Sequence, residues 1–384
     1  MSTVSPFGLD QGPVMITKAT PSNCRFRVLV IGGGIAGSTC ALRLAHHGIH
    51  VELVERLAFP RSKACGCCLG AAGLRLLDRL SLADAVRDLG TPTNRWVASL
   101  GTRRVEIPIP AGLAISREAL DPLLLNAAQN AGAIVMTETS GTVRQVESDG
   151  VDVELRGRAS VSQRRFDIVV VAAGLSAGGL SKVLPWSEQP HGPFGVSCTI
   201  EDPTLQPNTI YMACDDDGYV GMVRLADGRV DVAAALRSGS QANLLGNPLI
   251  RMQQILSRSC FDLPTWKDPS VVSTTPPLRR TRQFGNGPVL AIGDAAVYVE
   301  PFTGEGMTWA LAGGIAAADL ISVSGDSALI GQAWQRQLTN QLRTKLRLCR
   351  TVTTACRSQA VRRTFGELLT HFPSLAQPLV NRLS

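Results

Sequence analysis

Phe26-Arg27-Val28-Leu29-Val30-Ile31-Gly32-Gly33-Gly34-Ile35-Ala36-Gly37 is the stretch that decides the fold. Phe26 to Ile31 reads as an apolar strand buried on both faces, as strands of a parallel sheet are. The glycines follow at the Gly-x-Gly-x-x-Gly spacing, at Gly32, Gly34 and Gly37. Ser38 to His47 reads as a helix ended by Gly48, and a second apolar strand, His50 to Val54, ends in Glu55. Each position has a physical role in gripping a dinucleotide. Gly32 permits the tight turn, Gly34 lets the backbone approach a pyrophosphate, and Gly37 lets the helix pack close to the strand. The helix start at Ile35 and Ala36 offers free N–H groups and a positive dipole to the phosphates. Glu55 can accept hydrogen bonds from a ribose diol.

A second signature lies far downstream. Pro288 to Ile292 reads as another buried strand, followed by Gly293-Asp294-Ala295-Ala296 and by Glu300-Pro301-Phe302-Thr303-Gly304-Glu305-Gly306-Met307. One glycine-rich loop after a strand means only that some nucleotide is bound, whereas the pair implies a long cofactor held at both ends. Together the two blocks resemble the FAD site of the aromatic hydroxylase and geranylgeranyl reductase superfamily. The resemblance implies a non-covalent FAD whose ribityl chain is hydrogen-bonded by Asp294, next to Gly293. Pro301, Gly304 and Gly306 would form a close-approach loop beneath the isoalloxazine, leading into Met307, and bulkier residues there would be hard to accommodate. The helix that follows would aim its N-terminus at the pyrimidine edge, which turns negative on reduction, so its dipole would favour the reduced form.

Further blocks fit the same resemblance. Ser116-Arg117-Glu118-Ala119-Leu120-Asp121 opens an amphipathic helix; the resemblance implies that Arg117 reaches the pyrophosphate, while a plain Ser N-cap with a solvated Arg is the alternative. It also puts Arg56 and Val143 among the cofactor contacts. Phe166 to Ala173 reads as a buried strand ending in Gly174-Leu175-Ser176. Aromatic hydroxylases usually carry Asp-Gly here, so Ala173-Gly174 leaves the electron source open between NAD(P)H and a separate electron-donor protein. Phe59-Pro60-Arg61-Ser62-Lys63-Ala64-Cys65-Gly66 looks like the Pro-Arg-x-Lys-x-Cys-Gly segment of the geranylgeranyl reductase side. There the loop crosses the isoalloxazine near the substrate. Arg61 and Lys63 could neutralise phosphates or a reduced flavin, or be solvated loop charges. Cys65 has three readings: a small flavin-lining residue, a redox partner, or a catalytic acid near the reacting carbon. Cys67 and Cys68 have no ligand-spaced companions, and no metal is expected.

Length allows two or three domains in a chain of 384 residues. Residues 1–24 read as a flexible tail without an export signal. Residues 25–91, 110–184 and 281–330 read as a discontinuous FAD-binding domain, 92–109 and 185–280 as a substrate domain, and 331–384 as a basic helical segment. That last segment carries nine Lys/Arg against the single acid Glu367, while the whole chain is only +7. The positive charge therefore belongs to one element, and no nucleic-acid partner is expected. Ten cysteines without a framework spacing suit a reducing, cytoplasmic setting. In the middle segment, Phe194 to Ile200, Thr209 to Ala213, Tyr219 to Leu225 and Val230 to Leu236 read as strands, with Asp227-Gly228 as a hairpin turn.

The expected fold is α/β: a Rossmann-like FAD-binding domain with a parallel sheet in three layers, an inserted antiparallel substrate sheet and C-terminal helices. The expected function is that of an FAD-dependent oxidoreductase acting on an apolar small molecule. Hydride transfer to a C=C bond, flavin-based oxygen activation as in a monooxygenase of aromatic or polyketide-like substrates, and redox-neutral isomerisation or cyclisation all stay open. Leu338, Leu342, Leu346, Cys349, Val352 and Cys356 form an apolar stripe beside the basic one of Arg343, Arg347, Arg350 and Arg357. This pairing predicts a helix docked at the substrate entrance, whose basic edge is either solvated or meets a membrane surface or an acyl carrier, peripherally to the membrane.

Overall fold

In the computed structural model two large sheets share the chain; it describes residues 26–100, 103–202, 204–238, 246–261, 272–298 and 304–372. Cys24, the N-terminal tail and Pro301 fall outside these residues. The first sheet has the order Gly285–Asn286, Val289–Ala291, Ile168–Val171, Arg27–Ile31, His50–Val54, Ile134–Met136. All of its pairings are parallel except the short hairpin at the first edge. Val28, Leu29 and Val30 are wholly buried, which is what an uninterrupted apolar strand requires when helices cover both faces.

The first helix, Ile35–His46, starts directly on the last glycine turn, and it packs on the helix Gly306–Val323. A Cβ on Gly314 would come within 2.5 Å of the Ala36 carbonyl, and one on Gly293 within 3.0 Å of the Ala36 Cβ. Both glycine-rich segments thus converge on the same helical turn. Gly306–Val323 is the one helix among the described residues long and apolar enough to cross a membrane. Its residues Leu311 to Ala318 are all buried, so its apolarity is spent in this core.

The second sheet forms a roof of nine strands, in the order Val297–Tyr298, Val272–Arg282, Trp186–Glu201, Arg229–Leu236, Gly218–Arg224, Thr209–Asp215, Thr91–Leu100, Arg103–Ala114, Cys68–Leu69. The four strands read in the middle segment are all present. Gly228 takes φ +87° at the expected Asp227-Gly228 turn, and Asp227 accepts the Arg229 N–H. The roof is not wholly antiparallel, however, because Thr209–Asp215 joins Thr91–Leu100 in parallel. Nothing local signals that pairing, since it closes between segments more than a hundred positions apart. A third sheet of three strands, Ser140–Glu147, Gly150–Arg156 and Val161–Phe166, was not foreseen. Its strands carry charges on the solvent face, and Arg165 alone bonds Glu147, Asp149 and Asp152.

The C-terminal segment is two helices, Ser327–Arg357 and Gln359–His371. The long one is pinned to the central sheet by the buried Trp334, whose indole N–H donates to the Ala291 carbonyl at 2.9 Å. Leu338, Leu342 and Cys349 are buried and Leu346 and Val352 pack inward, as the apolar stripe requires. The Cys356 side chain lies outside the described set.

Candidate functional site

A cavity of about 590 Å³ lies between the central sheet and the roof. Such a volume is ordinary for a site enclosing a small molecule. At one end it touches Gly34, Ile35 and Ala36, and further along it touches Gly293, Asp294, Gly304, Gly306 and Met307. Its roof is apolar, with Trp96, Ile107, Met212 and Met222 among the walls, and the C-terminal helices close it with Leu348, Val352 and Leu369.

The first end gathers positive charge around a helix start. Gly32 turns at φ +112°, and its missing side chain would otherwise strike Ala172. Gly34 sits at the N-cap of the first helix with no side chain capping the helix, so the opening N–H groups face the cavity uncapped. Arg117 is buried, yet it forms a bidentate pair with Asp121 one turn on, at 2.7 and 2.8 Å. Burial works against its cation, and its acidic neighbours, Asp121 first and then Cys65 and Asp294, together more than offset this. A Cβ on Gly34 would meet the guanidinium nitrogens of Arg117 and Arg61 at 3.4 and 3.6 Å. The solvated-Arg alternative is therefore excluded by the fold, and two cations face one helix start. Arg61 lies 3.5 Å from both Glu55 and Asp121 and stacks over Phe59, while its Nε is buried without a partner.

Glu55 is buried at the strand end, where its carboxylate accepts the Gly33 N–H at 2.9 Å and the Leu57 N–H at 3.1 Å. It thus fixes the glycine turn. Arg56 is exposed beside it. Val143 lies on Ser140–Glu147, packed against the core below this strand end and outside the cavity wall.

At the other end, Asp294 sits on a turn at Gly293–Ala295, with the Lys63 ammonium 3.5 Å from its carboxylate. Lys63 also lies 3.2 Å from where a Gly174 Cβ would be. The loop 59–66 therefore links the two half-sites, which local reading could not show. Gly304 takes φ +70°, and its Cβ would meet Cys68 at 3.3 Å. At Gly306 a side chain would meet no protein atom within 4 Å, because it opens onto the cavity. Any crowding at Gly306 comes from what the cavity holds.

Three groups were overlooked. Asp121 had a signal, its i,i+4 spacing from Arg117. Glu305 stands just before the helix Gly306–Val323 at the cavity wall without a side-chain capping bond, and burial pushes its carboxyl up to about 7, against the pull of Lys345. Asp231 is buried in the roof, where burial and then the Cys65 charge raise its pKa. Its signal was an acid out of pattern on a strand otherwise apolar after Arg229. Cys65 itself lines the cavity. Its thiol is pulled down to about 6 by a hydrogen bond from Cys67, with Arg117 and Lys63 acting in the same sense against burial.

The uncapped helix start, the paired cations and the unfilled cradle at Gly306 fit a long anionic cofactor. Residues 25–192 match the family described as FAD binding domain. The chain is an FAD-dependent oxidoreductase. It is 27% identical over 345 residues to digeranylgeranylglycerophospholipid reductase 2 of Methanothermobacter thermautotrophicus, covering 84% of this chain and 86% of that one. It is 27% identical over 337 residues to menaquinone reductase of Mycobacterium tuberculosis, covering 82% and 80%. A solved geranylgeranyl bacteriochlorophyll reductase-like protein from Thermoplasma acidophilum shares the fold, with TM-score 0.73, 18% identity and coverage of 90% and 91%.

Proposed function

We propose that this protein reduces a C=C bond in a long apolar chain, such as the isoprenoid tail of a lipid or quinone. One observation carries the reading. Cys65 lines an apolar cavity that also opens onto both glycine-rich half-sites. Relatives named as reductases of a digeranylgeranyl phospholipid and of menaquinone support the same substrate class.

In this reading the uncapped N–H groups at Ile35 and Ala36, with Arg117 and Arg61, hold the FAD pyrophosphate. Asp294 holds the ribityl chain, and Glu55 keeps the Gly33 turn in place beside the ribose. When bound and reduced, FAD supplies a hydride. The chain's own residues do the rest. The apolar walls desolvate the alkene and exclude water. The start of Gly306–Val323 and the Lys63 ammonium favour negative charge at their end of the cavity. Cys65 holds a proton at Sγ and delivers it to the substrate carbon opposite the new C–H bond. Electrons reach the cofactor from NAD(P)H or from a separate donor protein, and the Ala173-Gly174 departure supports the donor protein. Arg343 and Arg347 are exposed on the long helix and would meet an anionic lipid surface or acyl carrier, leaving the protein cytoplasmic and peripheral to the membrane. Arg350 is less available, since it pairs with Glu188.

The test is anaerobic. The flavin is photoreduced, and its reoxidation is followed spectrally on adding a geranylgeranyl-chain lipid and, separately, O2. The reading expects the lipid alone to restore oxidised flavin. Reoxidation by O2 that becomes substrate-dependent, with none by the lipid, would instead identify a monooxygenase.

A further inference from the structure

We propose that the last helix, Gln359–His371, is a lid over the apolar cavity, which swings on Ser358 to admit a long apolar molecule beside Leu100. Only the nature of that molecule rests on the reductase reading; the lid stands on packing. Val361, Arg362 and Leu369 of this helix line the cavity. Leu369 packs against the roof cluster that holds Leu100, Ile107 and Met212, and these three line the cavity as well. Gly366 lets the helix lie close to the roof. A Cβ there would stand 3.4 Å from the Leu100 Cβ and 3.6 Å from the Arg103 Cδ.

The other walls cannot part so readily. The two sheets are laced by backbone hydrogen bonds, and Gly306–Val323 is buried from Leu311 to Ala318. The long helix Ser327–Arg357 adds Leu348 and Val352 to the wall and is pinned by Trp334. Gln359–His371 belongs to no sheet. The helical run before it stops at Ser358, whose φ −84° and ψ 120° are extended and whose side chain makes no capping bond. One extended residue between two helices is a ready hinge, because rotation there leaves the turns on either side intact.

The ion pairs that hold this helix down are releasable. Three successive acids, Asp215, Asp216 and Asp217, stand at the turn between two roof strands, and each pairs with an arginine. Asp217 accepts two bonds from the buried Arg251, at 2.6 and 2.8 Å, which fastens the helix Pro248–Ser257 to the roof. Asp216 accepts one bond from Arg362 of the last helix at 2.6 Å, and Asp216 is 56% exposed. Glu367 and Arg103, 3.4 Å apart, are both exposed. Exposed pairs are weakened by water, so the same turn clamps one helix and only latches the other. Opening bares Leu100 and Leu369 to water, and reburying them brings the lid back.

The test uses the full-length, FAD-loaded protein and needs no turnover. Leu100→Cys with Gly366→Cys puts two Cβ atoms about 3.4 Å apart, close to the ~3.8 Å that a disulfide spans. Diamide should join them, seen by mass spectrometry as a link between the tryptic peptides 96–103 and 364–382. The cavity is then probed with N-pyrenylmaleimide, a bulky apolar thiol reagent. Its reaction with Cys65 is read by tandem mass spectrometry on peptide 64–75. The locked protein should label about tenfold more slowly than diamide-treated Gly366→Cys, and reduction followed by desalting should restore the rate. Asp216→Ala, at an exposed turn position that does not put folding at risk, should label about threefold faster than wild type. A missing link, a locked protein labelled at the control rate, or a wild-type Cys65 that never labels would overturn the proposal. So would Asp216→Ala labelling no faster than wild type. A protein that does not reduce alkenes would still show these rates, so failure of the lid and failure of the reductase reading are distinguishable.

Discussion

Gly34→Ala should leave the fold intact while removing most of the cofactor affinity. Gly34 has φ −79° and ψ −174°, extended backbone that alanine adopts without strain. Its new methyl would meet only the Arg117 and Arg61 nitrogens, at 3.4 and 3.6 Å, which is ordinary contact. Two small terms then oppose each other. Alanine restricts the unfolded chain, a gain of about 0.4–1 kcal/mol, and it is a poorer N-cap than glycine by roughly the same amount. The apo-protein should therefore match wild type to within ~0.5 kcal/mol. The methyl nevertheless occupies the gap between the open helix N–H groups and the two guanidinium groups, where a pyrophosphate would lie. Hydrogen bonds to a charged oxygen contribute about 1.5–3 kcal/mol each, so displacing one or two costs ~3 kcal/mol, or roughly a hundredfold in Kd. Scanning calorimetry of the apo-protein and FAD titration by quenching of flavin fluorescence read the two effects separately. Gly37→Ala is the contrast, since its Cβ would lie 1.8 Å from the Gly32 carbonyl and should prevent folding outright. A Gly34→Ala protein with wild-type FAD affinity, or one destabilised by more than about 2 kcal/mol as apo-protein, would refute the placement.

Asp294→Ala removes one charge-assisted hydrogen bond and frees Lys63, so FAD retention on gel filtration should fall by about 1.5–3 kcal/mol in affinity; full occupancy would count against the assignment. Glu305 is lifted by burial from 4.5 to about 7, so its contribution to stability is fully present below about 4.5 and is lost as pH rises through about 7. Glu305→Gln should then match wild type at acid pH and exceed it in urea unfolding above pH 7, by up to ~3 kcal/mol less what Lys345 loses as its partner. Stopped-flow mixing with NADPH alone should reduce the flavin slowly, and catalytic rates without a donor protein would contradict the reading of Ala173. Arg343→Glu with Arg347→Glu should weaken sedimentation with anionic vesicles at low salt, each Arg contributing about 1 kcal/mol; unchanged sedimentation would show that edge to be only surface.

Local chemistry made the FAD half of the fold legible. Residues 26–37 specify strand, turn and helix through consecutive neighbours, and the Asp227-Gly228 turn fixes its own hairpin. What was hidden depends on closure between distant segments. The Lys63–Asp294 contact and the parallel pairing of Thr209–Asp215 with Thr91–Leu100 have no local period or spacing. At Gly306 no protein atom lies within 4 Å of an added side chain, so the glycine there answers to a molecule beyond the chain, as its motif implied. The C-terminal stripe was legible as an amphipathic pattern, but the break at Ser358 was not, nor was the use of Arg350 and Arg362 against acids of the roof.

In the proposed reaction the apolar cavity presents an alkene to a reduced flavin beside Cys65. The most direct measurement is a single anaerobic turnover of the reduced, FAD-loaded protein with a geranylgeranyl-chain lipid in D2O, followed by mass spectrometry of the product. The expected product is a saturated bond that has gained two hydrogens, at least one of them deuterium delivered from Cys65. A product carrying an added oxygen when air is admitted, with no hydrogen gained in its absence, would contradict it.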